Sequence, residues 1–287
     1  MKKIKYLIEF LFIKLFFFIF KIIGYKNASS LGAKIGSLFG PVFRSKKMIK
    51  SNIKKCLKNI NDEEANHLIK KMWENYGRIF SEYMFIEKFR SRELEKYLNI
   101  NGRTILEEIK KKDKPVIFVS GHFNNFELMA MQLEMFGIKL STIYRPLNNI
   151  FLNRTMEHLR KNFICKNQIK KGLGGVREVV KAFSKNTSIA LMIDQRVSEG
   201  EKSLLFDMPT YTTTIPAQLV KKYNCPVVPI YIQRKNDIYF DITIENPIYF
   251  SEKESINSIT LKLNAWLQKK ILINPEQWIW THNKWKL

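Results

Sequence analysis

The sequence predicts an α/β fold: a central, mostly parallel sheet flanked by helices, with an N-terminal helical region that includes a membrane anchor. Three observations carry this. From Lys114 onward, short β-rich runs alternate with helix patterns, the signature of a mostly parallel sheet with crossover helices. Residues 30 to about 112 show helical periodicity. Tyr6 to Ile23 is a nearly unbroken apolar run. The chain divides accordingly into an anchor helix (1–25), a helical region packed on the core (26–112) and an α/β core (113–287). Its 287 residues are enough for a sizeable core, and 45% hydrophobic against 26% charged residues excludes both disorder and a polytopic membrane protein.

In the apolar run "YLIEFLFIKLFFFIFKII", Lys21 lies close enough to the end to snorkel, whereas Glu9 and Lys14 are interior. Each interior charge costs about 2.5–3.5 kcal/mol at a bilayer centre and each Leu, Ile or Phe returns about 0.3–0.6 kcal/mol, so insertion is close to balanced. Lys5 stands four residues before Glu9 and can pair with it. A membrane anchor, inserted or deeply interfacial, is the expectation. A signal peptide cleaved near "NASSLGA" and a buried core helix are the alternatives.

The next region contains "NDEEANHLIKKMWENYGRIFSEYMFIEKF", which opens with an Asn61–Glu64 capping box and repeats Leu68, Met72, Ile79, Tyr83 and Ile86 at helical spacing. Beyond it, "PVIFVS", "IKLSTIY", "SIALMI", "VVPIYIQ" and "IYFDITI" read as strands. "NFELMAMQLEMF", "FLNRTMEHLRKNF", "VREVVKAFSK" and "IPAQLVKKYN" read as helices, and "SINSITLKLNAWLQKKIL" closes the chain as another.

Forty-nine Lys and Arg against 26 Asp and Glu give a net charge of +23, which calls for an anionic partner. No zinc-finger spacing or RNA-binding aromatic signature accompanies it, so an anionic membrane or an acidic carrier protein is expected and nucleic acid is not. The isolated cysteines Cys56, Cys165 and Cys225 suit a reducing compartment.

The candidate chemistry lies in "SGHFNNFE". A Gly-His turn after a buried strand sits at the C-terminal sheet edge, where open α/β sheets bind ligands. His122 in that turn and Glu127 in the first helical turn can meet: the carboxylate fixes one imidazole nitrogen and the other faces substrate as a general base. A capping or structural histidine fits the same pattern. The neighbouring strands end in "YRPLNN" and "IDQR", which bring Arg145, Asp194 and Gln195 to the same edge. His67, His158 and His282 lack such a setting and read as surface or structural.

Together "GHFNNFE", "YRPLNN", "IDQ", "TYTTTIPAQLVKKYNCPVVPIY" and "NPEQWIWTHNKW" resemble the bacterial lipid A biosynthesis acyltransferases, the lauroyl/myristoyl late acyltransferase family within the His-x4-Asp/Glu glycerolipid acyltransferase group. The resemblance implies His122 and Glu127 as the catalytic pair, Arg145 at the active site, and Asn125, Asp194 and Gln195 shaping the site or touching substrate. It implies an acyl thioester donor on acyl carrier protein or coenzyme A, a phosphorylated glycolipid acceptor, no metal or other cofactor, and a place at the inner (cytoplasmic) membrane with the catalytic domain on the cytoplasmic side. Where many relatives carry Gly-Asn-Trp, "FNNF" stands here, and Asn124 has no assigned role.

Other readings stay open at this stage: acylation of a lysophospholipid or another glycolipid or aminolipid, a metal-dependent hydrolase, and a non-catalytic basic membrane-binding protein. "GLGG" at 172–175 fits a phosphate-binding helix start or a plain turn, and "PEQWIW" fits a bilayer contact or core packing.

Overall fold

The computed structural model describes residues 2–198 and 200–286. Three helices come first: α1 (Lys2–Phe43), α2 (Lys46–Cys56) and α3 (Asp62–Glu82), the last starting on the expected Asn61–Glu64 capping box. After α4 (Ile86–Arg90) come β1 (Leu98–Asn101), α5 (Arg103–Lys112), β2 (Ile117–Ser120), α6 (Glu127–Met135), β3 (Leu140–Tyr144), α7 (Ile150–Leu159), β4 (Asn167–Lys170), α8 (Leu173–Ser184) and β5 (Ser188–Met192). A hairpin, β6 (Glu201–Leu205) and β7 (Met208–Thr212), precedes α9 (Ile215–Tyr223), β8 (Val227–Lys235), β9 (Tyr239–Ile244) and α10 (Ile256–Ile273).

Seven strands form one sheet in the order β1-β9-β8-β2-β5-β3-β4, and only the β8–β9 pairing is antiparallel. The mostly parallel sheet expected from the strand–helix alternation is therefore present, with two strands added, β1 and β4, and the β6–β7 hairpin stands apart from it. β1 lies inside the region assigned to helices alone and pairs in parallel with β9, so the sheet reaches back across the 112/113 boundary. Its run "LNIN" has only two apolar residues and is half-buried at a sheet edge, which removes the buried-strand signal. β4, at the other edge, and the hairpin are polar for the same reason.

α1 breaks at Gly24, whose backbone (φ 78°, ψ 165°) is non-helical. After the break, Gly32, Gly36 and Gly40 lie against Gly77 and Trp73 of α3 so closely that a β-carbon on any of them would overlap the neighbouring helix. Before the break, Phe17 and Phe20 are buried, while Ile4, Ile8, Leu11, Leu15, Phe18 and Ile22 form an exposed stripe at helical spacing. No helix among the described residues is long and apolar enough to cross a membrane. Glu9 is not on the exposed stripe. It lies 3.9 Å from Lys5, as its spacing suggested, and also accepts a hydrogen bond from Asn149 Nδ2 at 3.1 Å.

A buried ion pair locks the helical region onto the sheet. Arg234 on β8 donates to both oxygens of Glu82 (2.5 and 3.1 Å) and to Asn75, and the same carboxylate accepts from Ser29 of α1 and Asn125.

Candidate active site

The sheet order decides which residues meet. β5 lies between β2 and β3, and Ser120 pairs with Met192, so two residues further along each strand His122 faces Asp194. The ladder continues through Ile193 N–H, which donates to Ser120 O at 2.9 Å. Gly121 permits the turn: a β-carbon there would sit 2.8 Å from Leu267 and Phe123 and 3.3 Å from the Asp194 carboxylate.

His122 Nδ1 lies 2.7 Å from Asp194 Oδ1. The second carboxylate oxygen accepts the His122 backbone N–H (2.6 Å) and the Trp278 indole N–H (2.8 Å). Asp194 is buried, which pushes its carboxyl up, but the His122 ring, its backbone N–H and Trp278 together bring it down to about 2. Ionised Asp194 accepts the Nδ1 proton, so Nε2 is left as the acceptor nitrogen. Gln195 Nε2 lies 3.3 Å from it, and Phe126 packs edge-on at 4.8 Å between centroids.

This corrects the expectation for Glu127. Its carboxylate does not reach His122. Oε1 accepts from Tyr83 Oη at 2.7 Å and from Arg160 Nε and Nη2 at 2.8 and 2.6 Å. Five residues of mixed turn and helix carry it around to the α3 side, where a π-helical turn, Arg160–Ile164, presents the guanidinium. Burial and the adjacent Glu127 carboxylate raise the Tyr83 phenol.

Asn125 is also corrected. It is fully buried, donates to Glu82 Oε2 at 3.3 Å and does not line the cavity. Asp194 supports His122 from a buried position. Asn124, at φ 42°, gains a clear role: Nδ2 donates to Ile232 O and Gln277 Oε1, and its N–H to Gln277 O, which fixes the turn to β8 and the C-terminal segment.

His122, Glu127, Arg145 and Gln195 line a cavity of about 480 Å³. Its mouth is basic, with Arg44, Arg145 and Lys171. Its depth is mainly apolar, with Thr142 and Gln168 as polar exceptions, and runs between Phe126 with α6 (Met129, Ala130, Leu133) and one face of the sheet. On that face Ser120 and Met192 form an upper row; Phe118, Ala190, Thr142 and Gln168, paired across four strands, form a lower one. The next row down, Val116, Ser188 and Leu140, lies outside the cavity, so Phe118, Ala190 and Thr142 are its floor.

His282, read from sequence as surface or structural, also lines the cavity; burial pushes its imidazole down to about 4. His67 and His158 are exposed. Trp278 and Trp280 of "PEQWIW" are buried and pack edge-to-face at 4.8 Å, which favours core packing over a bilayer contact. Nothing in the local sequence of Tyr83, Arg160 and His282 marks them as site residues. Among the described residues no three His, Cys, Asp or Glu side chains are grouped to hold a metal.

The chain has relatives of known name. The profile of the bacterial lipid A biosynthesis acyltransferases matches residues 1–287. The lipid A biosynthesis palmitoleoyltransferase of Escherichia coli (strain K12) is 22% identical over 265 residues, 89% of this chain and 84% of that protein. The lipid A biosynthesis lauroyltransferase of the same organism is 23% identical over 253 residues, covering 85% and 79%. A lipid A biosynthesis acyltransferase of Haemophilus influenzae (strain ATCC 51907 / DSM 11121 / KW20 / Rd) is 23% identical over 268 residues, covering 88% and 83%.

Proposed function

The chain belongs to the bacterial lipid A biosynthesis acyltransferase family, and from that premise we propose that it moves a fatty acyl group from a thioester, on acyl carrier protein or coenzyme A, to a hydroxyl of a lipid A precursor, with His122 as the general base. The observation that carries this is the His122–Asp194 pair at the mouth of a cavity with an apolar depth.

The acceptor hydroxyl binds next to His122 Nε2 beside the Gln195 side-chain amide, which lies 3.3 Å from that nitrogen and donates to the acceptor oxygen. Its proton passes to Nε2, and its oxygen attacks the thioester carbonyl. The tetrahedral intermediate collapses, the carbon–sulfur bond breaks, and the thiolate leaves with the proton from the imidazolium. Asp194 stabilises that imidazolium and stays ionised. A positioned base of this kind contributes about 10²–10⁴-fold. Arg145, exposed at the mouth with Arg44 and Lys171 nearby, suits a phosphate on the acceptor or the developing oxyanion. Glu127 is a structural clamp on Arg160 in this reading, and no metal or other cofactor is called on.

The exposed apolar stripe of α1 and the +23 charge support attachment to the surface of the inner membrane, on its cytoplasmic side. Leu11→Asp together with Leu15→Asp then shifts the protein from the membrane to the soluble fraction; unchanged fractionation would remove this part. The main test is mass spectrometry of lipid A from a deletion strain carrying the wild-type or the His122→Ala chain. Lipid A lacking one secondary chain is expected in the deletion strain, restored by the wild type and not by the variant. Intact lipid A in the deletion strain overturns the acceptor assignment.

A further inference from the structure

We propose that Lys284 is a positioning residue for acyl transfer: its buried ammonium holds the Gln195 backbone and thereby sets the Gln195 amide against His122. The inference rests on the reading of His122 as the base.

Lys284 is fully buried. Nζ donates to Gln195 O at 3.1 Å and to Thr212 Oγ1 at 3.3 Å, and neither acceptor is a carboxylate. Burial pushes the ammonium down to about 8, with Asp194 opposing and Lys171 adding to the effect. A buried cation met only by neutral acceptors is a poor stabiliser, since a methionine of similar length would fill the space without the desolvation cost. The placement makes sense through its target. The carbonyl it holds belongs to the residue whose side-chain amide lies 3.3 Å from His122 Nε2.

Lys284 is the middle of a strap. The C-terminal segment holds three successive residues of the site loop: Trp278 donates to Asp194, Lys284 donates to Gln195 O, and Arg196 Nε donates to Lys286 O at 2.6 Å. The strap is itself fastened. Asn52 donates to the carbonyls of Trp280 and His282, Thr210 Oγ1 to Lys284 O, and Trp285 Nε1 to Leu205 O. Both faces of the imidazole's hydrogen bonding, the carboxylate at Nδ1 and the amide at Nε2, thus depend on the last residues of the chain.

The test uses the full-length protein in detergent, with an acyl thioester and a lipid A precursor lacking its secondary chains. Lys284→Met is expected to lower kcat by about 10- to 100-fold, the scale of a small misplacement of a reacting group. KM stays near the wild-type value and Tm is unchanged or raised. Gln195→Ala gives a comparable loss, and the double variant is no worse than either single one, because both act at one point. Additive losses, or a lowered Tm with kcat per folded molecule intact, overturn the inference. Should Lys284→Met not fold, Lys284→Gln keeps a donor without the charge. An intermediate kcat supports the strap and a wild-type kcat overturns it. If His122→Ala is inactive while Lys284→Met is fully active, only this inference fails; if His122→Ala is active, the reading of the site fails instead.

Discussion

His122 and Asp194, 72 positions apart in sequence, meet at 2.7 Å because their strands are neighbours in the sheet and run in register to the same edge. The partner expected from the local spacing, Glu127, is held instead by Arg160 and Tyr83. Two carboxylates therefore have separate duties, and they can be told apart.

Asp194→Asn addresses the first. One carboxylate oxygen accepts the ring N–H and the other accepts two N–H groups, from His122 and Trp278. An asparagine cannot meet both sides. Its NH2 group either faces two donors or points at Nδ1 and drives the ring proton to Nε2, where the base needs its lone pair. Activity falls by about 10⁴-fold, the scale seen when the orienting carboxylate of a serine-protease triad is changed in this way. Steady-state acyl transfer with purified protein measures it. An Asp194→Asn enzyme within a few-fold of wild type would show that His122 needs no such partner.

Glu127 is tested through stability. Glu127→Gln leaves the buried Arg160 guanidinium without its counter-charge, a defect of about 3 kcal/mol or more for a buried pair. Arg160→Met in the same background removes the stranded charge and recovers part of the loss. Urea unfolding of the two single variants and the double variant gives the coupling. If Glu127 served chiefly to orient His122, the cycle would show no coupling to Arg160.

The sequence made the fold legible wherever burial imposes a pattern. β2, β3, β5, β8 and β9 are apolar enough to be read from sequence, whereas β1 and β4 are polar because they lie at sheet edges. His122, Arg145, Asp194 and Gln195 were visible as residues at strand ends. Their pairing was not, because the insertion of β5 between β2 and β3 is a tertiary fact. Chain order suggests β3 as the neighbour of β2, and with it Arg145 as the neighbour of His122. Asn125 enters the candidate site only through the family resemblance, and the Glu82–Arg234 pair that buries it is assembled from α3 and β8, which its local sequence does not show.

His282 gives a pH signature. Its folded value is about 4 against 6.5 for the free imidazole, because burial disfavours the charged ring. Between those values the unfolded chain takes up a proton that the folded chain refuses. The histidine's contribution is thus fully present above pH 6.5 and is lost as pH falls toward 4. His282→Gln cannot take up that proton, so its Tm falls less between pH 6.5 and 4 than the wild-type Tm. Asp194, at about 2 against 3.8, contributes stability lost only at lower pH, which keeps the two effects separable. Parallel Tm–pH curves for the two proteins would place His282 in water.

Ala190 sets the depth of the cavity. It lies in the floor row between Phe118 and Thr142, and it is the smallest of the three. In the proposed reaction, an acyl chain whose thioester lies at His122 would run down between α6 and the sheet and end at this row. Ala190→Phe raises the floor, so the enzyme should transfer shorter chains, at a folding cost of about 1–3 kcal/mol for overpacking. Phe118→Ala lowers the floor and should admit longer ones. One added methylene is worth about 1–3 kcal/mol of discrimination in an apolar pocket, enough to shift a product distribution visibly. Mass spectra of lipid A from a deletion strain carrying each variant report the transferred chain directly. An unchanged chain-length distribution in active Ala190→Phe would mean that the acyl group lies elsewhere, and that this apolar depth serves packing alone.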